Sequence, residues 1–201
     1  GRVFNRSAPI ITLDNDSTES DHVALTGLLN SSTACFWLKQ TFHNKGSTVD
    51  QHGARQRTAP FEDFYEFTGT GLQRFPIPET KPVELAKQLE TSAQEFASVR
   101  PESVIEKTTI TEDALSESHR RWSKTFRRMV ALQEELDWHC YKLYRLLDDT
   151  LTHEGDELPE IRLGERAFEI LLARLVASGN LQTTWFDRHG SSPITDLPSD
   201  W

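Results

Sequence analysis

Long apolar runs are missing from this 201-residue chain. None approaches the roughly 18–20 residues that a bilayer-crossing helix needs, and no short apolar segment follows a basic N-terminus. A cytoplasmic protein with no membrane contact is expected. Cysteine is scarce: Cys35 and Cys140 lie far apart among apolar neighbours, which argues for two buried thiols rather than a disulfide. Neither belongs to a Cys-x-x-Cys pair, and the seven histidines lack any metal-ligand spacing. His139 and Cys140 are adjacent and so point to diverging helix faces. Gly69-Thr70-Gly71-Leu72 lacks the third glycine and the following helix of a dinucleotide loop, and reads as a turn. No nucleophile elbow is present. The chain itself is expected to hold no catalytic group, cofactor or metal.

Positive charge is also in deficit, with 22 basic against 31 acidic residues and a net charge of −9. Phosphate neutralisation supplies most of the affinity of a protein that coats nucleic acid, so that role is disfavoured. A local DNA-reading patch on an acidic body is not. Residues 39–58 fit one: Lys39, Lys45, Arg55 and Arg57 stand against Asp50 alone, a net +3 that leaves −12 on the rest. The stretch has no periodicity and is expected to be a long loop, either a solvated surface segment or a DNA-contacting one. In the second case Arg55 and Arg57 suit guanine edges or phosphates, and Lys39 and Lys45 suit phosphates. Gln51 and Gln56 could read adenine or be ordinary loop glutamines.

What is present is mostly helix-forming sequence. "APIITLD" reads as a short strand. "DHVALTGLLN" begins at the cap candidate Asp21 and carries a stripe of Ala24, Leu25, Leu28 and Leu29. Asn30-Ser31-Ser32-Thr33 interrupts it before "ACFWLKQ". Those four polar residues either end one helix and cap the next, or bring Asn30 and Ser31 to DNA. "FYEFTG" reads as a second strand and "FPIP" as an extended exit.

Past Pro78, a helix with Thr80 as cap and Pro82 in its first turn is expected to stop before Arg100-Pro101. A longer one begins near Thr109, with Glu112 at capping-box distance. Its apolar seam runs Leu115, His119, Trp122, Phe126, Met129, Gln133, Leu136, Cys140, Leu143 and Leu147, in steps alternating four and three. Arg120, Arg121, Arg127 and Arg128 flank that seam, as a solvated edge or as a backbone-contacting ridge. Trp122, Trp138, Tyr141 and Tyr144 read as packing residues, and Glu134-Glu135 as a solvated face. "LTHEGDELPE" reads as a loop. A last helix over "RLGERAFEILLARLVASGN" closes on Gly179. The expected fold is α+β and predominantly helical. A small mixed unit over 1–79 precedes long antiparallel, coiled-coil-like helices over 80–201.

A strand, a helix broken at Leu-Asn-Ser-Ser, a basic Gly46-Ser47-Thr48 loop, an aromatic strand ending "FPIP" and then long helices resemble a known order. It is that of the closing half of a target recognition domain in DNA restriction and modification modules, over roughly Pro9 to Pro78. The wording resembles a narrower family along nearly the whole chain. "GLLNSSTACFWLKQTFHNKGSTVDQHGARQ", "LQEELDWHCYKLYRLLDD" and "RLGERAFEILLARLVASGNLQTTWFDRHGS" look like the C-terminal portion of the PglX family. These are adenine-specific DNA methyltransferases of bacteriophage-exclusion (BREX, phage growth limitation) systems.

The resemblance implies a parent enzyme that uses S-adenosylmethionine to methylate adenine N6 of double-stranded DNA in antiviral defence. This chain would be its target recognition and helical spacer portion, contacting DNA through Asn30, Lys39, Lys45, Ser47, Thr48, Arg55 and Arg57. No two prolines are adjacent, so the family's Asn-Pro-Pro-Tyr motif has no counterpart here. The opening Gly1-Arg2-Val3 and the single methionine at 129 likewise suit a piece of a longer protein. The competing expectation is a helical scaffold that binds partner subunits of the defence system or a phage inhibitor.

Overall fold

The computed structural model describes residues 10–45, 64–107, 111–155 and 157–194. These residues are mostly helical. The described elements are α1 (Glu19–Leu29), α2 (Ser32–Thr41), β1 (Asn44–Lys45), β2 (Phe64–Tyr65), α3 (Gly69–Leu72), α4 (Val83–Ser98), α5 (Pro101–Lys107), α6 (Glu112–Leu143), α7 (Ala167–Ala177) and α8 (Trp185–His189). None of these helices is long and apolar enough to cross a membrane.

Most local signals are realised, with shifts of one to three residues. The cap of α1 is Thr18, not Asp21. Asp21 is the third helical residue, whose N–H donates to Thr18 Oγ1 while its carboxylate accepts the Thr18 N–H. Thr111 caps α6 by accepting the Ala114 N–H, in the place expected of Thr109. Pro82, not Thr80, is the residue before α4. The sequence Gly69–Leu72 forms a single helical turn capped by Thr68. Gly179 adopts φ +74° just past the end of α7, the left-handed closure that glycine permits most cheaply.

Strand content is lower than expected. Among the described residues, 10–14 form no strand, and Ile10 is 75 % exposed. The described strands are two residues each, antiparallel, with Asn44 opposite Tyr65 and Lys45 opposite Phe64.

At 32 residues, α6 is about 48 Å long, shorter than the seam implied. Along its first half α4 packs on it, Phe96 meeting Trp122 and Phe126 at centroid distances of 5.3 and 5.9 Å. Leu115 nevertheless stays largely exposed. The second half is enclosed differently. Val130, Ala131, Leu132, Glu134, Leu136, Asp137 and Cys140 are all buried, and consecutive buried positions require neighbours on several faces rather than along one seam.

The core joins Leu28 and Ala34 of α1 and α2 to Leu136 and Cys140 of α6, with Phe75 from the stretch before α4. Leu28 and Leu136 are fully buried, worth roughly 1.5–3 kcal/mol each. Tyr144 donates to the Pro76 carbonyl at 2.8 Å and tilts against Phe75, so the "FPIP" exit is fastened to the end of α6.

Candidate nucleic-acid interface

The four polar residues at the junction of α1 and α2 build an elbow. Asn30 ends α1, its side-chain amide donating to the Thr26 carbonyl at 2.9 Å. Ser31, 1 % exposed, serves both helices: its hydroxyl donates to the Leu28 carbonyl at 2.7 Å and accepts the Ala34 N–H at 3.2 Å. One side chain thereby satisfies an orphan carbonyl of the first helix and an orphan amide of the second. Ser32 hydrogen-bonds Tyr141 through its hydroxyl at 2.8 Å. Thr33 differs, since its buried hydroxyl finds no partner among the described residues.

The elbow is also held from outside. Asp137 of α6 accepts the Ser32 N–H at 2.7 Å and the Gln133 side-chain amide at 3.2 Å, and Gln133 donates in turn to the Asn30 carbonyl at 3.1 Å. One helical turn earlier, Glu134 accepts the Ala167 N–H at 3.2 Å and the Trp138 indole N–H at 3.0 Å. Two acidic residues of one helix therefore receive the positive N-termini of two others, α2 and α7, where a carboxylate is favoured. Arg166 bridges them, with Nε 2.7 Å from Glu134 and Nη2 on Asp137.

Glu169, 1 % exposed, completes the cluster by accepting Gly164 N–H, Arg166 N–H and the Trp185 indole N–H. Burial opposes the charge on Arg166, but hydrogen bonds and attraction from Glu134 and Asp137 outweigh it and raise its pKa. The guanidinium stays charged. Glu134 is thus no part of a solvated face, because it is buried and paired.

The sequence-selected residues fall into three groups. Asn30 and Lys39, nine residues apart, line the same groove of about 680 Å³ between α2, α6, α7 and α8. Lys39 is exposed in the last turn of α2. Lys45 lies in β1, where its backbone opposes Phe64. Ser47, Thr48, Arg55 and Arg57 lie outside the described residues.

An aromatic chain anchors the strand pair to α2. Phe42 meets Trp37 at 6.2 Å and Phe67 at 5.3 Å, and Phe67 stacks on Tyr65 at 6.3 Å. Further along, three of the four arginines flanking the α6 seam are engaged within the molecule: Arg120 with Glu117, Arg121 with Glu95, and Arg127 with Glu160. These exposed pairs suit the solvated-edge reading.

Cys35 is exposed on α2, contrary to the expectation of two buried thiols. Its apolar neighbour Phe36 is exposed as well, because the helix turns its Ala34 face to the core. Both line the groove with Trp138, Phe168 and Leu171. Cys140 is buried, and that burial pushes its thiol up to about 11.

Comparison with known proteins finds a relative by sequence. Over a 206-residue alignment that takes in the whole chain, the sequence is 45 % identical to the adenine-specific methyltransferase PglX of Streptomyces coelicolor. It resembles the C-terminal portion of PglX throughout.

The chain spans 17 % of the length of that relative. Residues 129–201 also match the family described as a domain of unknown function, DUF7008. That match begins inside α6 and includes Asp137, Glu134, Arg166 and Glu169, so the buried ionic cluster is drawn entirely from it. No solved structure matches the chain. The sequence reading missed these four residues. One signal was available: Glu134 and Asp137 are three apart, on one face of a helix, with Leu136 and Trp138 beside them.

Proposed function

We propose that this chain is the target recognition and positioning portion of a site-specific adenine-N6 DNA methyltransferase acting in antiviral defence of the BREX type. The observation that carries the reading is 45 % identity along the entire chain with an adenine-specific methyltransferase. The small mixed unit over 1–79 would face double-stranded DNA, and the helices of 80–201 would act as spacer. S-adenosylmethionine would be bound by other parts of the parent enzyme, which would work in the cytoplasm. The extruded adenine would be received there too, since base chemistry needs an enclosing pocket.

Asn30, Lys39, Lys45, Ser47, Thr48, Arg55 and Arg57 are the proposed DNA contacts. The charge contrast between residues 39–58 and the rest of the chain supports them, as does the common groove of Asn30 and Lys39. The elbow at Ser31 aims α2, and with it Lys39 and the root of the basic segment.

A second reading, a scaffold for partner subunits or a phage inhibitor, is favoured by one feature. Phe36 is 68 % exposed and Leu171 57 % exposed along the same groove. Replacing Arg55 and Arg57 by alanine in the full-length protein separates the two. Weakened DNA binding and lost methylation, with assembly intact, support target recognition. Unchanged DNA binding refutes it.

A further inference from the structure

We infer that Asp137 is a positioning residue for DNA recognition: with Arg166 it braces the elbow between α1 and α2, and so sets where Lys39 points. The inference rests on the reading just proposed and assigns a task to the 129–201 domain, that of aiming the reading element rather than contacting DNA.

Local capping does not explain Asp137. Ser31 already closes the helix break with its own hydroxyl. Yet Asp137 is 3 % exposed and spends one carboxylate oxygen on the Ser32 N–H and the Gln133 amide, and the other on Arg166. Gln133 extends the grip to the Asn30 carbonyl. Both sides of the elbow are thus tied to one turn of α6, and that turn is tied to the start of α7. Burying ions is costly, and apolar residues of similar volume commonly stabilise a fold as well. What directional bonds add is a single geometry.

Leverage makes the geometry matter. Lys39 lies seven residues along α2 from Ser32, about 10 Å, so a swing of about 10° at Ser32 would carry it by roughly 2 Å. A recognition contact tolerates much less than that.

The test uses the full-length enzyme, with steady-state methylation of a target duplex and of a duplex with one base pair of the site changed. Asp137→Asn and Arg166→Met should each raise KM for the target duplex about tenfold or more and blunt the preference for the target. KM for the methyl donor should not change, and the double variant should be no worse than either single one, as expected of one unit. Should Asp137→Asn not fold, Gln133→Leu, which removes the link to the Asn30 carbonyl and one hydrogen bond to Asp137 while leaving Asp137 on Ser32 and Arg166, must still raise the duplex KM.

A lower melting temperature with unchanged duplex KM and unchanged preference would reduce the cluster to a structural role and overturn the inference. Arg55→Ala/Arg57→Ala, assayed alongside, tells the two failures apart. If that variant binds the target like wild type, the DNA reading itself falls and takes the brace with it. If it loses the target while Asp137→Asn and Gln133→Leu keep it, the brace alone falls.

Discussion

Gly27 of α1 crosses α4 so closely to Ala86 that a Cβ on the glycine would lie 2.7 Å from the alanine Cβ. Neither atom can retreat, since each is fixed to a helix backbone. The two helices approach as they do because both positions are small, and Leu28 reaches the core beside them.

Gly27→Ala is therefore expected to destabilise the chain by about 1–3 kcal/mol despite the better helix propensity of alanine, because the added methyl must push the helices apart. Gly69→Ala is the contrasting case. Among the described residues, nothing beyond its own helix backbone and chain neighbours lies within 4 Å of its would-be Cβ, so stability should hold or rise slightly. Urea unfolding of the two variants against the parent checks the pair.

Thr33→Val should be neutral or stabilising, by up to about 1 kcal/mol. The substitution keeps the shape and removes a buried hydroxyl that has no hydrogen-bond partner among the described residues, so no bond is lost and a desolvation cost disappears. Ser31→Ala, one turn away in role, should instead lose roughly 1–2 kcal/mol, since that hydroxyl closes two helix ends. A thermal melt that ranked the two the other way would contradict the geometry of the elbow.

The two thiols should react very differently. Cys35 is exposed, whereas Cys140 is buried and its pKa is pushed up by burial to about 11. Titration of the native protein with a disulfide reagent near pH 8 should report one fast thiol, and a second only after denaturation. Linkage gives the sign for Cys140: the folded form holds its proton more tightly than the unfolded one. Its contribution to stability is whole below the ordinary value of 9.0 and is lost as the pH climbs towards about 11.

At the acid end the group to watch is Asp21. Hydrogen bonding to Lys81, with help from Thr18, holds its carboxyl well below the usual carboxylate range, and the Lys81 contact is 2.8 Å long. A depressed folded pKa means that the contribution is present above the ordinary value near 3.8 and fades as the pH falls below it. Melting temperatures measured from pH 6 downward should therefore drop more steeply for wild type than for Asp21→Asn below about pH 4. Both side chains are partly solvated, so added salt should shrink the difference.

Local chemistry was legible in the sequence wherever the competition is settled within one or two turns. The break at Asn30-Ser31, the stop before Arg100-Pro101, the loop over 151–155 and 157–160 and the glycine closure of α7 could all be read, because caps, prolines and glycines act over three or four residues. The aromatic tail "FPIP" signalled an exit but not that Phe75 would enter the core. Boundaries moved where two threonines competed for one cap, as at the start of α6.

Long-range charge placement could not be read that way. Glu134, beside Glu135, looks like part of a solvated face along the chain, and only the arrival of α2 and α7 at this turn of α6 makes Glu134 and Asp137 buried caps bridged by Arg166. Cys35 is the reverse case, apolar in its neighbours yet outside, because packing Ala34 inward rotates it to the surface. For the acidic residues the energy lies in pairs far apart along the chain, 29 residues for Asp137 with Arg166 and 105 for Asp137 with Ser32. No local pattern encodes which partner a buried charge will meet, so the tertiary structure alone decided it.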